Sequence, residues 1–161
     1  MVLDLACGSG RHSHLLLDTG YSVLAVDQNI DAFSQCKHPN LKVECMDLEA
    51  EIWPLLGRQF AGIVVTNYLY RPYLAELPKL LIDGGVLLYE TFAEGNAEFG
   101  KPSNPDFLLK TGELLSFSAQ NSLKVLAYEH LYVDEPKPAM IQRLCAVKGH
   151  LQGHIPLQFQ G

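Results

Sequence analysis

Seven residues near the start of the chain, Asp4-Leu5-Ala6-Cys7-Gly8-Ser9-Gly10, constrain its fold more than any other stretch. They continue an apolar run (Val2, Leu3, Leu5) that reads as a buried strand. They precede Arg11 to Asp18, where Leu15, Leu16 and Leu17 predict a helix. A strand that ends in glycines and feeds a helix turns tightly, and it lets a ligand approach the backbone without interference from Cβ atoms. The first turn of the helix then offers unpaired N–H groups to polar ligand atoms. Such a turn is suited to a nucleotide-type cofactor.

Strand and helix alternate through most of the remaining chain. Tyr21 to Asp27, Leu41 to Met46, Phe60 to Thr66 and Val86 to Phe92 read as strands. Between them, Asn29 or Asp31 is placed to cap a short helix reaching Cys36, and Glu51 to Leu56 suggests a helical turn. The leucines of Pro72 to Ile82 predict a helix stopped by Asp83-Gly84-Gly85, with Pro78 kinking it or delaying its start. Ala93 to Asp106 is a long loop, and a helix opens at Thr111-Gly112-Glu113 and runs to about Ala119. Leu123 to Val133 and Ala139 to Lys148 read as an antiparallel hairpin turned by Asp134 to Pro138. This alternation calls for an α/β fold with a parallel sheet covered on both faces. Ligands of such sheets gather at the carboxyl ends of the strands, where Gly8, Asp27, Asp47, Asn67 and Thr91 fall.

Bulk properties narrow the function. A chain of 161 residues, 48% hydrophobic and 19% charged, suits one ordinary globular domain. No apolar stretch reaches the length of a membrane span, and the apolar start lacks the basic flank of a signal peptide. A net charge of −6 and a pI near 5.4 argue against an electrostatic grip on nucleic acid. Cys7, Cys36, Cys45 and Cys145 have no paired metal spacing and read as free thiols in a reducing cytosol, so a cytoplasmic location is expected. His150 and His154 have the spacing of a helical metal pair, but Gly153 lies between them and no third ligand follows, so no metal is assigned.

The turn discriminates among nucleotides. A dinucleotide site calls for G-x-G-x-x-G and an acid about 20 residues on for the ribose. Gly8 and Gly10 supply the first two glycines and Asp27 is suitably placed, but Ser13 holds the third position. Asp4 is a second obstacle, because a carboxylate on the approach to the turn would repel a pyrophosphate and welcome a sulfonium or ammonium group. Three acids near strand ends, Asp4, Asp27 and Asp47, suit a cationic ligand carrying a ribose and a base. S-adenosylmethionine meets that description.

At these residues the chain resembles the class I S-adenosylmethionine-dependent methyltransferases, and within them the small proteins grouped with tellurite-resistance methyltransferases. The resemblance spans essentially the whole length. It is carried by Val2 to Gly10, Val23-Leu24-Ala25-Val26-Asp27, Val64-Val65-Thr66-Asn67-Tyr68-Leu69 and Gly84 to Phe92. Ala6 departs from the motif, standing where many members have its first glycine. The resemblance implies a Rossmann-like doubly wound sheet of order 3-2-1-4-5-7-6 with strand 7 antiparallel. It implies that Asp4 and the backbone of Ala6, Gly8 and Gly10 hold the methionine portion of the cofactor. Asp27, with Gln28 beside it, would take the ribose hydroxyls. Asp47 would accept from the adenine amino group with Leu48 against the ring, and Asn67 and Tyr68 would lie near the sulfonium.

The reaction so implied is in-line methyl transfer from S-adenosylmethionine, leaving S-adenosylhomocysteine, to a small acceptor. Alignment matters most in such a step. Tyr68 and Glu90 (with Tyr89) are the candidates for a base if one is used, and Tyr68, Tyr70 or Phe92 could face the sulfonium. Glu94 to Asp106 is expected to wall the acceptor site. Arg71 reads equally as an orienter of an anionic substrate or as a solvated helix start, and His12 as a surface or satisfied histidine. Relatives carry helices before the first strand, which here begins at the chain's start. An incomplete domain, a partner supplying the cover, and a non-catalytic scaffold that binds cofactor weakly or not at all are the alternatives this raises. An uncovered apolar sheet face and self-association through it are expected. Residues 1–149 form the expected cofactor-binding domain, and 150–161 a poorly ordered tail.

Overall fold

A computed structural model describes residues 1–149; the expected tail and the His150/His154 pair lie outside the described residues. Seven strands form one sheet: β1 (Val2–Leu5), β2 (Val23–Asp27), β3 (Leu41–Cys45), β4 (Phe60–Thr66), β5 (Leu81–Phe92), β6 (Leu123–Val133) and β7 (Ala139–Lys148). Their order is β3-β2-β1-β4-β5-β7-β6. Strands β1 to β5 run parallel, and β7 lies antiparallel between β5 and β6. The order reverses between β1 and β4, which opens a crevice beyond their carboxyl ends.

Register sorts the side chains into two faces with different fates. On one face Leu3, Leu5, Ile63, Val65, Leu87, Tyr89 and Leu144 form the core with Trp53, Leu55, Leu77, Leu80, Leu114 and Phe117. Burying a leucine or phenylalanine fully is worth about 1.5–3 kcal/mol, so this cluster dominates the favourable side of folding. On the other face, helix α1 (Arg11–Asp18) covers Asp4, and Ser13 is fully buried against it. Farther along that face Val64, Leu88 and Cys145 pair across three strands; Val64 is buried, Cys145 is half-buried and Leu88 is 45% exposed. They line an open cavity of about 390 Å³, with His12 and Ala127 at its edge. Coverage of both faces, as the strand pattern predicts, holds only over the α1 half among the described residues.

The predicted helix over 72–82 is a second difference. The chain forms a single turn, α2 (Arg71–Leu74), then a 3-10 turn at Leu77–Leu80, and enters β5 at Leu81. Pro78 has no N–H to donate, and its ring obstructs a continuous α-helix. Two short turns still bury Leu77 and Leu80, the residues whose helical spacing suggested the longer element. Asp83-Gly84-Gly85 does not stop a helix but lies inside β5. Gly84, at φ 78°, lies at a register shift against Phe60 and Gly62. Residues 51–56 form turns rather than a helix and bury Trp53 and Leu55. Helix α3 (Glu113–Gln120) and the β6–β7 hairpin match expectation.

Arg71 belongs to this framework. Its guanidinium donates to both carboxylate oxygens of Glu113 (2.8 and 2.9 Å) and to the carbonyls of Asp106 (2.5 Å) and Leu108 (2.7 Å). With its donors so used, it clamps the start of α2 to α3 and to the loop before it, and it is neither a solvated helix start nor a free anion binder.

Candidate active site

The glycine turn connects the carboxyl end of β1 to α1. Cys7 N–H donates to Val26 O (3.1 Å), continuing the β1–β2 ladder by one step, and Gly10 N–H closes the turn on Cys7 O (2.9 Å). Gly10 sits at φ 80°, and a Cβ there would lie 2.5 Å from the Phe33 ring, so both backbone and space demand glycine. Three non-glycine residues have positive φ among those described, and two of them, Ala6 (55°) and Asn67 (53°), directly follow β1 and β4. Left-handed backbone costs an alanine about 1–2 kcal/mol. Concentration of this strain at the two strand ends flanking the sheet's reversal marks a functional site. It also explains why a glycine would be preferred at position 6.

Asp27 joins the turn to the end of β2. One carboxylate oxygen accepts from Gly8 N–H (2.9 Å) and the other from Asn29 N–H (3.0 Å). Each oxygen keeps a further lone pair, leaving the half-buried side chain able to accept two more donors. Asp47, just past β3, is oriented by accepting from Glu49 N–H (2.9 Å).

These elements enclose a crevice of about 320 Å³. Ala6, Asp27, Gln28, Asp47, Leu48, Asn67 and Tyr68 line it, so seven of the ten residues expected around a cofactor do converge on one space. Met46 and Glu49 complete the lining and were not anticipated. Methionine beside an acid after a strand carries no distinctive pattern, whereas the alternate spacing of Glu49 from Asp47 could have pointed to it. The crevice presents three carboxylates and no cationic side chain. Leu48, buried, and Met46 offer apolar surface for a flat ring. A cavity of that size and composition fits a cationic nucleoside and disfavours a pyrophosphate.

The other expected residues lie elsewhere. Gly8 and Gly10 shape the turn at the crevice's edge. Asp4 is 1% exposed beneath α1, accepts from Ser13 Oγ (2.6 Å), and does not line the crevice. Burial raises its carboxyl above the ordinary range while the Ser13 hydrogen bond and the nearby His12 pull the other way. Cys7 is pushed up to about 12, first by burial and then by Asp4 and Asp27, which leaves an inert thiol.

Neither base candidate is poised to take a proton. The Tyr68 hydroxyl is buried and finds no hydrogen-bond partner among the described residues. Burial, reinforced by Glu49, drives it well above the usual phenol range, so it stays protonated. Tyr89 donates to Tyr68 O (2.8 Å) and is fully interior. Glu90 lies outside the crevice, ion-paired with Arg143. Tyr70 borders a small space against Trp53 and Tyr73, and Phe92 borders a separate cavity that meets the crevice at Asn67. His12 lies 3.3 Å from the Thr66 hydroxyl on the open sheet face. No cluster of three His, Cys, Asp or Glu side chains suited to a metal occurs among the described residues, and none of their helices is long and apolar enough to cross a membrane.

Comparison with known proteins agrees with this geometry. The family described as Methyltransferase domain matches residues 2–85, which contain the glycine turn and all three crevice carboxylates. No curated protein sequence matches the chain. Solved structures share its fold at low identity. An S-adenosylmethionine-dependent methyltransferase from Mesorhizobium loti is 15% identical with a TM-score of 0.70, over 91% of this chain and 90% of that one. A TehB-like S-adenosylmethionine-dependent methyltransferase from Corynebacterium glutamicum is 19% identical with a TM-score of 0.63, over 92% and 79%. The 1,6-didemethyltoxoflavin-N1-methyltransferase of Burkholderia thailandensis, solved with bound 1,6-didemethyltoxoflavin and S-adenosylhomocysteine, is 19% identical with a TM-score of 0.67, over 92% and 71%. With the strand order, the glycine turn and the family match in accord, the chain belongs to the methyltransferase-domain family, and its fold is that of the class I S-adenosylmethionine-dependent methyltransferases.

Proposed function

We propose that the crevice between β1 and β4 holds S-adenosylmethionine and that the chain transfers its methyl group in line to a small acceptor entering past Asn67. The convergence of Asp27, Asp47 and Glu49 on one cation-free crevice beside the glycine turn carries this reading. Asp27 takes the ribose hydroxyls with the lone pairs that Gly8 and Asn29 leave open. Asp47 accepts from the adenine amino group, and Leu48 packs on the ring. The Gly8–Gly10 backbone holds the methionine end. Asp4 acts from beneath, keeping α1 in place through Ser13 and adding negative potential near the sulfonium.

When bound, S-adenosylmethionine supplies an activated methyl group whose positive charge disperses as it passes to a nucleophile, leaving a neutral thioether. The chain's contribution is alignment and exclusion of water, with Asn67 and Tyr68 closing the site at the end of β4. Tyr68, held protonated by its burial, does not take up a proton, and Glu90 is committed to Arg143. The acceptor therefore reacts without a base from either residue. Self-association through the open sheet face belongs to the same proposal, and light scattering that reports a monomer at high concentration removes it.

Titration calorimetry tests the cofactor assignment. S-adenosylhomocysteine is expected to bind one per chain and NAD to give no heat. A folded sample that binds NAD in preference, or neither, contradicts it.

A further inference from the structure

Past Asn67 the crevice gives way to a larger cavity of about 600 Å³, and its chemistry is reversed. Its floor is apolar, with Phe92 from the end of β5 and Ile141 from β7. Its rim carries Arg11 from the first turn of α1, Lys101 from the loop after β5 and Lys137 from the β6–β7 turn. None of these three enters an ion pair among the described residues, whereas Arg143, also in the wall, is matched by Glu90 and by Glu129 at 3.3 Å. Two carboxylates line the cavity: Glu90, which is paired with Arg143, and Glu135, which is left to oppose the three cations. In a chain of net charge −6, three unmatched cations around one concavity are not a consequence of composition.

The walls are preformed. Asn96, 1% exposed, accepts from Met140 N–H (3.1 Å) and donates to Pro102 O (3.0 Å), tying the loop that bears Lys101 to strand β7. The Phe99 ring packs on Tyr132 of β6 at 4.9 Å between centroids, so loop and hairpin meet on the cavity's far side as well. A site whose anchors are buried presents its cations at little ordering cost to a ligand.

We propose that this cavity receives the methyl acceptor and that the acceptor is an organic anion, a carboxylate on an aromatic or alkyl body. This rests on the reading of the neighbouring crevice as the methyl-donor site. The volume suits one small molecule rather than a polymer. The apolar floor takes the body and the rim takes the charge. The acids of the donor crevice repel the same anion, which keeps acceptor and donor from exchanging places.

A matched pair of probes, 4-phenylbutyrate and its neutral amide 4-phenylbutyramide, tests this on protein saturated with S-adenosylhomocysteine, by ligand-observed NMR. The carboxylate is expected to bind about tenfold more tightly than the amide, as for one charge-assisted hydrogen bond at a partly exposed site. That preference should shrink as salt is raised and vanish in Lys101→Met/Lys137→Met, whose circular dichroism confirms folding. Equal affinities, a preference for the amide, no binding of either at millimolar concentration, or a preference that survives the double substitution overturns the proposal. The S-adenosylhomocysteine titration is read separately. Protein that selects the carboxylate but binds no S-adenosylhomocysteine has an anion site and loses the acceptor role along with the donor reading. Protein that binds S-adenosylhomocysteine and shows no selection loses only the anionic acceptor.

Discussion

Two cavities meet at Asn67, and they are built in opposite ways. The nucleoside crevice is assembled from the first residues past β1, β2, β3 and β4, is rich in carboxylates, and is held by short backbone hydrogen bonds such as Gly8 N–H to Asp27. The acceptor-side cavity draws on a long loop, a hairpin tip and the first turn of α1, carries cations, and is held by ties such as Asn96 to Met140 and to Pro102. A donor common to many reactions can be served by strand-end geometry, which the sheet supplies. A particular acceptor must be served by loops, where sequence is free to vary.

The largest expected effect lies in the crevice. Asp27→Ala removes the acceptor for two backbone N–H groups and for the ribose together. S-adenosylhomocysteine affinity should fall on the order of 100-fold by calorimetry, about 3 kcal/mol. A fall of less than tenfold would put the ribose elsewhere. Arg71→Ala tests the other side. Losing the Glu113 pair and two carbonyl contacts should cost about 2 kcal/mol in urea denaturation. Because the loop ending at Leu108 is released while the crevice is untouched, cofactor affinity in the folded variant should hold. Comparable losses in both readouts would erase the separation between the two regions.

Smaller effects probe the strained strand ends. Ala6→Gly relieves a left-handed alanine but loosens the unfolded chain, so the net should be a gain of roughly 0.5 kcal/mol in the same denaturation experiment. A loss would mean that the Ala6 methyl contributes packing that outweighs the strain. Asp4→Asn is distinguished by sign across pH. Burial raises the folded-state pKa of Asp4 above 3.8, so the folded chain holds that proton more tightly than the unfolded chain does. Its contribution to stability is full below pH 3.8 and is lost as pH rises through the folded value. Asparagine, neutral throughout and still able to accept from Ser13, lacks that loss. The variant should gain on the parent as pH rises to neutral and converge with it in acid. A difference independent of pH would show that Asp4 is not buried beneath α1.

The same division governs what was readable before the structure. Strands β1, β2 and β4 are apolar runs because a parallel strand is buried on both faces, and Asp4 within β1 and Asp27 at the end of β2 stand out by contrast. The hairpin was legible for a different reason, since its turn residues separate two alternating segments. Helix-like leucine spacing over 72–82 misled because core contact requires only that Leu77 and Leu80 face inward, which two turns around Pro78 achieve as well. The start of β5 was missed because Gly84 absorbs a register shift inside a strand where it reads as a stop. Arg71 finds its carboxylate 42 residues away, at Glu113, and Asn96 its backbone donor 44 residues away, at Met140. No local pattern announces such partners, and the loop that carries Lys101 into the cavity wall is held by the second of them.

A crystal structure of the chain grown with S-adenosylhomocysteine tests the central claim most directly. The account predicts the ribose hydroxyls within hydrogen-bond distance of Asp27, the adenine amino group at Asp47 over Leu48, and the sulfur beside Asn67, facing the cation-rimmed cavity. Nucleoside density anywhere other than between β1 and β4, or a ribose turned away from Asp27, would contradict it.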